Sequence, residues 1–294
     1  MTEKKVNKEL LALIRLLDEP DEKIFDTVGK KIIEYGTEAV PVLEDAWGYM
    51  TGKIELKRAE ELIEQIRLEN AFHQLEKWAN GASDNLLEAF ALISVFHQPD
   101  APADALIEPV QKIYRDLWLE MNDELTALEK IRVVNHIFFD VYRFEGRQNE
   151  VADIHTYMLD NLLRTQRGNP FSLALLYLIV TQKLGLPVFG VNLPHHFILA
   201  YMDDTQLIKP VNNYIENEVL FYVNPFNRGT VFRKSEIELF IKQLNIKMQD
   251  SFFLPCDNLT VVRRFLNEIM IIYQKNHKPT KAEAVKYLLR AVSV

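Results

Sequence analysis

Apolar residues recur at helical spacing through the first third of the chain. Leu10, Leu11, Leu13, Ile14, Leu16 and Leu17 mark a first helix, and Asp18-Glu-Pro-Asp-Glu reads as a turn with helix-start chemistry. A second helix, about Asp21 to Tyr35, sets Ile24, Val28, Ile32 and Ile33 on one face. Gly36 ends it, and Thr37 is placed to cap a third helix with Pro41 in its first turns. Further helices are expected over about Leu56 to Trp78, Ser83 to Phe96, Ala103 to Met121, Ala127 to Asp140 and Ile154 to Leu163. The texture then changes. His196-Phe-Ile-Leu-Ala-Tyr-Met and Val219-Leu-Phe-Tyr-Val-Asn read as strands, with Gln206-Leu-Ile-Lys as a candidate to pair between them. Helices return over Lys234 to Leu244, Asn258 to Lys275 and Lys281 to Val292. Runs of helices thus flank a few strands.

One helix differs from the rest. In Gly168-Asn-Pro-Phe-Ser-Leu-Ala-Leu-Leu-Tyr-Leu-Ile-Val, Asn169 is a good N-cap and Pro170 suits the first helical position, where its missing N–H costs nothing. Leu173 to Val180 is apolar all round, so this helix is expected to be buried on every side, with Gly185 and Pro187 ending it. Ser172 therefore falls in the first turn of a buried helix, where free N–H groups and a partial positive charge stabilise an anion. Downstream, His196 opens a strand and Asn224 ends one. Hydroxyl, imidazole and carboxamide follow in the order nucleophile, base and orienting group. On neighbouring antiparallel strands, His196 and Asn224 could meet side by side.

The segment "RGNPFSLALLYLIVTQKLGLPVFGVNLPHHFILAY" resembles the SirB-type family of transglutaminase-like proteins. "FYVNPFNRG" resembles that family's Asp-Pro-Phe motif, "RRFLNEIMIIY" its C-terminal helix, and "YRFEGRQNEVADIHTYMLDNLLRTQRGNP" the approach to the nucleophile helix. The likeness runs from about Leu56 to Tyr273 and implies a papain-like α+β fold, a central helix packed on an antiparallel sheet, with many additional helices. Residues 56–294 are assigned to that domain. Residues 1–55 are assigned to a helical cap, since "LLDEPDEKIFDTVGKKIIEYGTEAVPVLEDAW" resembles a HEAT-type helical pair. Active transglutaminase-like enzymes carry Cys, His and Asp at the three positions that here hold Ser172, His196 and Asn224. Ser is usual in the SirB-type branch; Asn for Asp is a further departure. A hydroxyl ionises far less readily than a thiol, and Asn orients an imidazole without supplying charge. In a serine protease triad, replacing Asp by Asn costs about 10⁴ in turnover.

The resemblance and the degenerate triad imply a non-catalytic module that binds a peptide or protein in the cleft between the Ser172 helix and the His196 strand. A slow serine hydrolase or acyl transferase using Ser172 and His196 is one alternative. An adaptor working through its helical end is another. The net charge of −8 opposes binding to nucleic acid or anionic membrane. The longest apolar run is far short of the ~20 residues that span a bilayer. The polar start and the single cysteine, Cys256, fit a cytoplasmic protein. No G-x-G-x-x-G or P-loop calls for a nucleotide, and no cofactor is expected. His195, His196, Asp203 and Asp204 lack a metal-site framework, so no metal is expected either.

Overall fold

A computed structural model of the chain describes residues 2–81, 84–98, 105–147, 153–194, 196–203 and 218–293. The chain divides into two units, residues 1–77 and 78–294. The division falls beyond the expected boundary at residue 55, and the reason is packing. Helices α1 (Thr2–Ile14), α2 (Glu22–Glu34) and α3 (Ala39–Trp47) share one core with the first half of α4 (Lys53–Gly81). Leu10, Ile14, Ile32 and Leu43 meet Leu62, Ile63 and Ile66 there. Arg58 of α4 fastens the α1–α2 turn by donating to the carbonyls of Leu17 (2.9 Å) and Glu19 (2.7 Å), with its guanidinium 4.1 Å from the Phe25 ring centre. Asp21 caps α2 by accepting from the Lys23 N–H. Thr37 does not cap α3; it lies inside a 3₁₀ turn, Gly36–Glu38, that leads into the helix.

The second unit is mixed helix and sheet. Its helices are α5 (Leu86–His97), α6 (Ile107–Glu120), α7 (Ala127–Asn135), α8 (Leu159–Thr165), α9 (Pro170–Lys183), α10 (Lys234–Gln243), α11 (Asn258–Lys275) and α12 (Pro279–Ala291). A π-helical turn, His136–Val141, continues α7, and a 3₁₀ turn, Ile154–Tyr157, precedes α8. A short parallel pair joins β1 (Glu145–Gly146) to β2 (Arg167–Gly168). The main sheet is an antiparallel meander of β3 (Val188–Leu193), β4 (His196–Met202), β5 (Val219–Asn224) and β6 (Thr230–Phe232), in that order. Strands β4 and β5 coincide with the expected ones. The Gln206 segment lies outside the described residues.

The sheet has a helix layer on each face. Helix α9 is buried from Phe171 to Thr181, as its all-round apolar sequence requires. Its Phe171 stacks on Phe197 of β4 with ring centres 4.8 Å apart, and Phe265 of α11 packs beside them. On the other face, Val191, Ile198, Ala200, Met202 and Tyr222 form a core with Ile237 and Ile241 of α10. Successive strand residues point to opposite faces, so the odd-numbered positions of β4 face α9 and the even-numbered ones face α10. Gly190 of β3 stands where the Phe197 ring needs room: a Cβ would come within 2.7 Å of that ring.

Candidate functional site

Asn169 and Ser172 form a closed capping box at the start of α9. The Ser172 N–H donates to Asn169 Oδ1 (2.8 Å), and the Asn169 N–H donates to Ser172 Oγ (3.0 Å). The Ser172 hydroxyl in turn donates to the Asn169 carbonyl at 3.4 Å, a long and weak bond. Among the described residues, both hydrogen bonds of this hydroxyl go to the Asn169 backbone, and Ser172 is 0% exposed. Gly168 closes the remaining side, since a Cβ there would sit 2.7 Å from Ser172 Oγ.

His196 begins β4 and is exposed. Its ring meets Phe240 of α10 edge-on, with centres 4.6 Å apart, while the next residue, Phe197, is the one that stacks against α9. Asn224 ends β5 opposite Thr230. Its carboxamide accepts from the Phe226 N–H (3.1 Å) and starts the 3₁₀ turn Pro225–Asn227. Strand alternation puts Asn224 on the same face as Tyr222, which is the α10 face and the face of His196. Ser172 therefore lies on one side of the sheet, and His196 and Asn224 lie on the other. The expected cleft between the Ser172 helix and the His196 strand is filled by the rings of Phe171, Phe197 and Phe265.

The stretch "NPFNRG" has a structural use that its sequence did not disclose. Arg228 and Gly229 both take positive φ, 48° and 66°. The Arg228 guanidinium donates to Asp140 at 2.5 Å, and the Gly229 carbonyl accepts from the Asn135 amide at 3.0 Å. A Cβ at Gly229 would land on that carboxamide. The oxygen of the Asn135 side chain accepts from the hydroxyl of Tyr177 on α9, at 2.8 Å. Phe226 packs over Gly146 so closely that a Cβ there would come 2.6 Å from its ring. The turn thus pins α7, α9 and β1 together.

Two further groups are shifted by their surroundings. His97 pairs with the Tyr273 hydroxyl (2.8 Å) and lies near His155, with ring centres 6.2 Å apart. Burial, with Lys281 close by, lowers its pKa to about 4. Burial, aided by Asp257, pushes the Cys256 thiol up to about 12, so it is no ready nucleophile. Among the described residues no group of three His, Cys, Asp or Glu side chains is placed to hold a metal; His195 and Asp204 lie outside them. Among the described residues no helix is long and apolar enough to cross a membrane.

A buried helix packed on an antiparallel meander makes the second unit an α+β protein. The family model described as the transglutaminase-like superfamily matches residues 104–267, more than half of the chain, and the chain belongs to that superfamily. It is 24% identical over 204 residues to a UPF0162 protein of Xylella fastidiosa, covering 67% of this chain and 68% of the relative. It is 23% identical over 208 residues to a UPF0162 protein of Buchnera aphidicola, covering 70% and 72%. A shorter match, 28% over 111 residues, joins 37% of this chain to 17% of F-box only protein 21 of Mus musculus. No solved structure matches.

Proposed function

We propose that this chain is a SirB-type, non-catalytic member of the superfamily: a papain-like core whose nucleophile position serves as a helix cap, acting as a peptide- or protein-binding module in the cytoplasm. A HEAT-like helical pair at the N-terminal end would give it a second docking face. One observation carries the reading. The Ser172 hydroxyl is fully buried and bonded to Asn169, while His196 sits on the other face of the sheet. A base must come within hydrogen-bond reach of the proton it removes. For Ser172 and His196 that would require a residue to change faces, which is a one-position slip of the whole strand. The rival reading, a serine hydrolase or acyl transferase, has to provide that rearrangement.

The test is covalent. The full chain is incubated with a fluorophosphonate and its intact mass is measured, beside Ser172→Ala and a Ser172→Cys variant treated with iodoacetamide. Cys256 provides a slow background in the last case, because its thiol is held protonated. The expected result is no fluorophosphonate adduct and a thiol at 172 that reacts no faster than a buried one. An adduct that disappears in Ser172→Ala would replace this reading with the hydrolase.

A further inference from the structure

A groove of about 570 Å³ lies in the first unit. Its floor is apolar: Leu11 and Ile14 of α1, Val42 and Ala46 of α3, and Met50. Its rim is charged and aromatic: Arg15, Asp18, Asp45, Tyr49 and Glu55. Tyr49 is 88% exposed and Leu11 keeps 41% of its surface accessible, so the groove leaves apolar surface in water. Three carboxylates line the groove against one guanidinium.

We propose that this groove holds an amphipathic, lysine- or arginine-rich helix of a partner protein. The inference rests on the binding-module reading and gives it a site and a ligand chemistry. Three physical arguments select this occupant. No strand occurs among the described residues of this unit, so no strand edge is offered for β-augmentation, and side chains dropping into an apolar floor are the remaining mode. The excess of carboxylates favours cationic flanks on the incoming helix. The same carboxylates repel anionic head groups, which sets a lipid surface aside. Met50 and Tyr49 suit the role, a pliable thioether on the floor and a rigid amphipathic ring at the rim.

The probe is a fluorescein-labelled amphipathic helix built from leucine and lysine, titrated by anisotropy against the full chain at low salt. Saturable binding is expected. Asp18→Lys with Asp45→Lys should weaken it about tenfold or more. Asp26→Lys with Glu60→Lys makes the same change in net charge at exposed positions off the groove, and should change it less than about twofold. Tyr49→Ala, at so exposed a position that folding is spared, should weaken it several-fold. Equal weakening by the two charge reversals, or equal binding of a glutamate version of the peptide, would overturn the proposal. Ser172→Ala is expected to bind normally. A fluorophosphonate adduct at Ser172 with groove binding intact would remove the non-catalytic reading alone, and a silent Ser172 without groove selectivity would remove the groove alone.

Discussion

The α9 face of the main sheet is dry and closed, whereas the α10 face is partly open. On the first, Phe90, Phe265, Phe171 and Phe197 make a continuous run of ring contacts, with the Arg264 guanidinium over the last ring, 5.5 Å from its centre. Three polar groups on that side are tied off internally, Ser172 to Asn169, Tyr177 to Asn135 and Thr181 to the Tyr177 carbonyl, while Asn169 Nδ2 is buried with no hydrogen-bond partner among the described residues. On the second, His196 stands exposed beside Phe240, and Leu239 points half into water. Both helices pack on the same sheet, so the difference lies in what each has to cover. A helix apolar on every side leaves no wet surface beside its own N-terminus, and a hydroxyl placed there becomes part of the wall. A histidine on the open face keeps its access to solvent but loses the nucleophile.

Five changes would break or sharpen that contrast. The largest effect is expected from Phe171→Ala, which empties the centre of the ring run and should cost about 3–5 kcal/mol in urea unfolding. Phe240→Ala, on the open face, should cost clearly less, and equal costs would contradict the contrast. Next comes acid. His97, in the helix layer on the closed side, has a folded pKa of about 4 against 6.5 unfolded, so between those values the unfolded chain binds more protons. Its contribution is complete above pH 6.5 and declines as pH falls toward 4, on the order of 3 kcal/mol. A urea series across that window should show the slope, and His97→Gln should flatten it. Ser172→Ala removes one arm of the capping box and should cost about 1 kcal/mol. A cost near zero would mean that the hydroxyl is not a cap. His196→Ala, at an exposed strand start, should stay within about 0.5 kcal/mol by the same measurement.

Much of this was legible in the chain. Asn169-Pro170 announced the start of α9, and the uninterrupted apolar run announced its burial. The extents of β4 and β5 could be read directly. Strand β3 was passed over because Val188-Phe-Gly-Val-Asn-Leu contains Gly190 and Asn192, both poor strand formers; Gly190 is there to make room for Phe197. The triad order was legible too, but its handedness about the sheet was not. Phe197 to Met202 are all buried, so β4 shows no alternation of polar and apolar residues to reveal which parity faces α9. A single step of parity decides which helix layer the histidine faces. The clamp around Arg228 and Gly229 was hidden for a different reason, since its partners Asp140 and Asn135 are 88 and 94 positions away in sequence.

The π-helical turn after α7 decides whether that clamp closes at all. Tyr142 bonds back to the Ile137 carbonyl, and the wider winding brings Asn135 and Asp140 to the same side, where they receive Gly229 and Arg228. In ordinary α winding, residues five apart are about 140° out of line. The fit between this helix and the β5–β6 turn is therefore written in the number of residues as well as in their kind. The gain of one more residue between His136 and Asp140 would rotate half of the clamp away without changing any of the side chains that make it.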